Sequence, residues 1–93
     1  MKQLLYYLVI GTRGGETRAK IINSIIKKPM NANQLALELN LDYKTVQHHL
    51  KILIDNKILK ILNEGYGAVY FLSDYLEQNI NLFKEIWDRF GKK

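Results

Sequence analysis

The sequence predicts a mainly α fold with one small β-hairpin, an α+β chain in which a helix-turn-helix is followed at once by a wing. Three observations lead there. The stretch 41–54, LDYKTVQHHLKILI, spaces Val46, Leu50, Leu53 and Ile54 by four, three and one, which is a single helical stripe. Before it, 31–39 reads as a short helix separated from the next cap by only Asn40 and Leu41, a helix-turn-helix junction. After it, 58–62 and 68–72 are strand-length apolar runs joined by Asn63-Glu64-Gly65-Tyr66-Gly67, which is turn chemistry.

Each element has its own reason. Residues 1–10 place Leu4, Leu5, Leu8 and Val9 at helical spacing, although Tyr6, Tyr7, Val9 and Ile10 leave a strand open. Three glycines among residues 11–15 break the chain there. This is not a phosphate-binding loop, because the Lys and Ser/Thr of such a loop are missing at the right spacing. Residues 16–28 form a helix with Ile21, Ile22, Ile25 and Ile26 on its buried stripe, and Pro29 stops it. Asn31 and Gln34 have capping-box spacing, Leu35, Ala36 and Leu39 face inward, and Asn40 suits the left-handed position at the helix end. Asp42 caps the helix over 42–54. In the hairpin at 58–72, Lys60 points outward. Ser73 or Asp74 caps a last helix over 74–90, on which Leu76, Ile80, Phe83, Trp87 and Phe90 recur at four, three, four and three.

Ninety-three residues, nearly half hydrophobic and a quarter charged, suit a single globular domain spanning 1–93. No apolar run approaches the roughly 20 residues a bilayer-spanning helix needs. The run at 4–10 is followed by Gly11-Thr12-Arg13 rather than a small-residue cleavage site, so a cytoplasmic protein with no membrane partner is expected. There are no cysteines, which excludes disulfides and thiolate metal sites. The net charge of +5 is uneven: residues 1–60 carry ten Lys/Arg against four Asp/Glu, and residues 61–93 carry four against five. A basic balance of this kind favours a polyanionic partner.

On the helix at 42–54, Lys44, Gln47, His48 and Lys51 fall on the face opposite the apolar stripe. They offer hydrogen-bond donors and acceptors and two cations, a surface suited to a nucleic-acid groove. The segment Thr45-Val46-Gln47-His48-His49-Leu50-Lys51-Ile52-Leu53 is similar to the T-V-x-H-H-L-K-x-L pattern of the ArsR-like recognition helix. Residues 31–39 resemble that family's preceding helix, and 66–72 its wing. GTRGGETR at 11–18 looks like a variant found among archaeal members. The resemblance, over 16–72, implies a winged helix-turn-helix and a dimeric, sequence-specific regulator of transcription, with repression as the expected outcome. It carries Lys44, Gln47, His48 and Lys51 over as groove-facing.

Tyr43 and Thr45, at the start of the same helix, are candidates for phosphate or a thymine methyl, Tyr43 alternatively packing beside Leu50 and Ile54. The wing departs from the family pattern, with Glu64, Gly65, Tyr66 and Gly67 where a cation is usual. Tyr66 is expected to touch the DNA backbone weakly or to pack. Arg13 and Arg18 meet phosphate, face solvent or pair with Glu16. His48 and His49 point about 100° apart and do not share a metal. His49, at the edge of the apolar stripe, is expected to make a semi-buried hydrogen bond. Metal-sensing relatives use Cys pairs or His and Asp on the terminal helix, which here has no His, so neither metal nor cofactor is expected.

The terminal helices carry more apolar surface than a monomer of this size can cover. Leu4, Leu5, Leu8, Leu76, Ile80, Phe83, Trp87 and Phe90 are therefore expected at a homodimer interface. Phe83, Trp87 and Phe90 lining an effector pocket is a further reading. No catalytic constellation accompanies Ser24 or Ser73, so no enzyme is expected. The alternative from another class is a winged-helix protein-interaction module without sequence-specific DNA binding.

Overall fold

The computed structural model describes residues 2–63 and 67–91. Helix α1 (Lys2–Tyr6) runs directly into a π-helical turn over Tyr7–Gly11. The start of the chain is thus helical, with Leu5, Leu8 and Val9 in the core. Gly14 turns the chain at φ +88°, a region open to glycine and costly for other residues. A Cβ on Gly15 would strike the Val9 carbonyl, so the next helix starts in direct contact with the backbone of the first.

Helix α2 (Gly15–Lys27) buries Ala19, Ile21, Ile22 and Ile25, and Ile26 packs on the same core from its edge. Helix α3 (Ala32–Leu39) starts with the expected capping box: the Gln34 amide donates to Asn31 Oδ1 and the Asn31 amide to Gln34 Oε1, each at 2.8 Å. It ends with Asn40 at φ +55° while the Leu41 amide reaches back to the Ala36 carbonyl at 2.9 Å. The Ser24 hydroxyl donates to Glu38 Oε2 at 2.7 Å and ties α2 to α3.

Helix α4 (Tyr43–Asp55) is capped by Asp42, whose carboxylate accepts from the Lys44 and Thr45 amides. It closes as α3 does: Lys57 takes φ +60° and the Ile58 amide bonds the Leu53 carbonyl at 2.9 Å. Strands β1 (Leu59–Leu62) and β2 (Val69–Leu72) pair antiparallel with Leu59 opposite Leu72 and Leu62 opposite Val69. The Tyr70 amide also donates to the Met30 carbonyl at 2.9 Å, so the hairpin is sewn to the chain just before α3. Glu64, Gly65 and Tyr66, and with them the expected backbone contact of Tyr66, lie outside the described residues.

The terminal helix is not continuous as expected. Ser73 caps α5 (Asp74–Gln78), the backbone breaks at Asn79 (φ −128°, ψ 27°), and α6 (Ile80–Ile86) continues into a π-helical turn over Trp87–Gly91. Asn79 itself is the cause, since its side-chain amide bonds the Tyr75 carbonyl at 2.7 Å. A side chain that offers the backbone such an alternative partner interrupts helices. Leu76 and Phe83 are nonetheless both fully buried on either side of the break.

One apolar cluster runs through every layer, from Leu5 and Val9 through Ile22, Leu35 and Leu50 to Leu59 and Phe83. This revises where the terminal apolar surface goes. The two ends of the chain pack on each other, and Tyr6 meets Phe90 edge to face with ring centroids 5.3 Å apart. Leu5, Leu8, Leu76 and Phe83 are covered by the chain's own core. Leu4, Ile80 and Trp87 are half-buried, and Phe90 remains 49% exposed. Among the described residues no helix is long and apolar enough to cross a membrane.

Candidate nucleic-acid interface

Helix α4 has two chemically distinct sides because its sequence repeats with the helical period. Val46, Leu50 and Leu53 are sunk in the core, which fixes the roll of the helix about its own axis. That roll leaves Lys44, Thr45, Gln47, His48 and Lys51 exposed together, with Tyr43 42% exposed at the first turn. Residues four apart stack along a helix, so these side chains form two ridges. Tyr43, Gln47 and Lys51 lie on the ridge that borders the hairpin, where Tyr43 and Gln47 line a 230 Å³ cleft with Tyr70 and Ala68. Gln47 and Lys51 border a second hollow with Ile61 and Tyr70. Lys44 and His48 form the other ridge.

The hairpin-side ridge is internally bonded. Gln47 Nε2 donates to the Tyr43 hydroxyl at 2.9 Å, which restrains the amide plane of Gln47 before any ligand arrives. Tyr43 stands over β2, and burial, followed by this neighbour, holds the Tyr70 phenol above its usual pKa. Lys51 Nζ lies 3.1 Å from Asp55 Oδ2, an exposed pair of modest strength. The face therefore carries a carboxylate beside its cations. The helix runs one residue beyond the expected end at Ile54, and that residue is Asp55. Lys60, on β1, is 3.6 Å from Asp74.

Arg13 is exposed, but Arg18 corrects the expectation that it meets phosphate or solvent. It is 3% exposed, and its guanidinium is consumed internally. Nε donates to the Leu8 carbonyl at 2.7 Å, Nη2 to the Arg13 carbonyl at 3.1 Å and to the Thr12 hydroxyl, and Nη1 to His49 Nδ1 at 3.1 Å. His49, 8% exposed, thus has the hydrogen bond its position suggested, with a partner 31 residues away that no local pattern could supply. Burial, then Arg18, then His48 hold the His49 ring below the ordinary histidine pKa. Sequence reasoning also missed Tyr70. Its place beside Gln47 depends on how the hairpin folds over α4, and only its aromatic strand sequence hinted at it. Among the described residues no group of three or more His, Asp or Glu side chains is gathered as a metal site would require.

The pattern of the bacterial regulatory protein, arsR family, matches residues 15–56, which is α2 through the turn after α4. Over 59 residues the chain is 34% identical to an uncharacterized HTH-type transcriptional regulator of Methanocaldococcus jannaschii. That match takes in 63% of this chain and 15% of the relative, so the chain spans a small part of the relative's length. The matched segment ends where the β1–β2 hairpin is about to begin, so the chain has a winged helix-turn-helix fold whose residues 15–56 are similar to the arsR family pattern.

Proposed function

We propose that this chain is a sequence-specific, double-stranded DNA-binding regulator of transcription that inserts α4 into the major groove. The observation that carries the reading is the roll of α4: its aliphatic side is locked in the core, and Lys44, Thr45, Gln47, His48 and Lys51 stand outward together. In this reading Lys44, Lys51, Tyr43 and Thr45 meet phosphate or sugar and set the position of the helix, and Gln47 and His48 read base edges. Gln47 suits adenine, to which an amide pairs through two hydrogen bonds. Tyr66, a candidate from the sequence alone, would contact the DNA backbone.

The proposed assembly is a cytoplasmic homodimer on a near-palindromic site, with the two α4 helices about 34 Å apart. Support for a two-fold partner is the surface left over where the chain's ends meet. A 480 Å³ groove there is lined by Tyr6, Leu82, Ile86 and Phe90 and edged by Glu85 and Arg89. Leu4, Ile80 and Trp87, each half-buried, are proposed to belong to the same interface. Covering a promoter would repress it, which makes a repressor the favoured sense.

Selection of bound duplexes from a random pool tests the reading, because it reports binding, half-site and spacing at once. Enriched inverted repeats are the expected result, and a pool that stays random overturns the sequence-specific claim. The engagement of Lys51 by Asp55 favours a second reading, a protein-binding winged helix, by reducing the net charge of the face. Titration with random duplex at two salt concentrations separates the two, since DNA affinity must fall steeply with salt.

A further inference from the structure

Arg18 is a buried cation without a carboxylate within ion-pair distance among the described residues. Its charge is instead taken up by the end of the first helical segment. The Leu8 carbonyl accepts from Nε, and Thr12, which accepts from Nη2, donates in turn to the Tyr7 carbonyl at 3.1 Å. The last carbonyls of a helix are unpaired and carry the negative end of its dipole, so they suit a guanidinium. The remaining arm of Arg18 crosses to α4 and ends on His49. Three elements therefore meet at one side chain: the N-terminal segment, α2 and the helix whose far side carries Gln47 and His48.

Space for this junction is made by Gly14. A Cβ there would lie 2.6 Å from His49 Cε1 and 3.1 Å from Arg18 Nη1, and the residue's φ of +88° disfavours any side chain. The glycine-rich break thus has a role that its sequence alone did not disclose: it lets the imidazole reach the guanidinium.

We propose that Arg18 and His49 are positioning residues for DNA reading, a latch that, on the roll set by the core, holds the neighbouring His48 and Gln47 in their reading arrangement only while His49 is unprotonated. This rests on the DNA-binding reading above. An arginine N–H can only donate, so Nδ1 must accept, and the ring proton must sit on Nε2. A second ring proton would occupy Nδ1, abolish the acceptor and place two cations side by side. The charged or titratable groups that face His49 are Arg18 from α2 and His48 from α4, whose ring centroid is 5.1 Å away; both disfavour that proton. The latch is one residue from His48, so its release changes the presentation of the reading face without dismantling the core beneath Leu50 and Leu53.

The test compares the wild-type chain with His49→Asn, whose Oδ1 stands where Nδ1 stood and cannot be protonated in this range. Binding to the duplex enriched by selection is measured at about pH 7.5 and about pH 5.5, with circular dichroism at both to show that the fold persists. The affinity of each protein at neutral pH serves as its own reference. On acidification the wild type should lose about three- to tenfold more affinity than His49→Asn. His48 is present in both proteins, so the difference isolates His49. An identical pH profile overturns the latch while leaving DNA binding intact. Failure of the wild type to bind any duplex at neutral pH overturns the DNA-binding reading, and the latch's role with it. Should His49→Asn not fold, the tautomer of the wild-type ring decides: long-range nitrogen–proton correlation at neutral pH is expected to show His49 protonated on Nε2, and a proton on Nδ1 overturns the proposal.

Discussion

Gln47 is the side chain on which selectivity should depend most, and its bond to Tyr43 means that two residues act together. Replacing Gln47 with Ala is expected to cost about 1–3 kcal/mol at one base pair and to relax preference there, read from affinities for single-base variants of the site. An equal loss on every duplex would make Gln47 a backbone contact. Lys51→Ala should weaken all duplexes alike and lower the salt slope by about one unit, less if its pairing with Asp55 persists in the complex. His49 has a thermodynamic signature of its own. Unfolded, it takes up a proton near pH 6.5, whereas burial, Arg18 and His48 hold that uptake back in the fold. The unfolded chain therefore binds more protons as pH drops, so stability is full above about pH 6.5 and declines below it. Thermal melts of wild type and His49→Asn should diverge in that direction only.

The elements formed where local chemistry specified them, and departed where it was outvoted. Asn31, Gln34, Asn40, Asp42 and Ser73 cap or close helices as their types predict, because a cap needs only its own few residues. Asn31→Ala should accordingly cost about 1 kcal/mol of stability, checked by denaturant unfolding. Lys57 sits at φ +60° without the freedom of glycine, and Lys57→Gly should therefore stabilise by up to about 1 kcal/mol. The break at Asn79 was hidden because the apolar period around it is intact and the interruption comes from one amide choosing the Tyr75 carbonyl. Asp55 lies beyond the expected end of α4 at residue 54, since the sequence Asp55-Asn56-Lys57 has turn chemistry, yet the closing bond from Ile58 to Leu53 carries the helix through it. The exposed ridge of the candidate site was legible from a 100° repeat. What Arg18 touches was not, because its partners His49 and Leu8 come from other elements.

At the scale of the whole molecule, the first and last segments close on each other within one chain rather than standing apart. The apolar surface left for a partner is accordingly smaller than the sequence suggests, centred on Tyr6, Phe90 and the groove beside them. A homodimer held there should dissociate when Phe90 is replaced by a charged residue. Sedimentation at tens of micromolar should move from dimer to monomer, and a monomeric wild type would remove the two-fold site from the proposal. The single backbone bond from Tyr70 to Met30 has a mechanical consequence. Because the strand is riveted to the entrance of α3, the hairpin and α4 would meet the duplex as one plate in the proposed complex. Accommodation to a bent or widened duplex then falls to the duplex itself, so the energetic ease of deforming each sequence becomes part of what is discriminated.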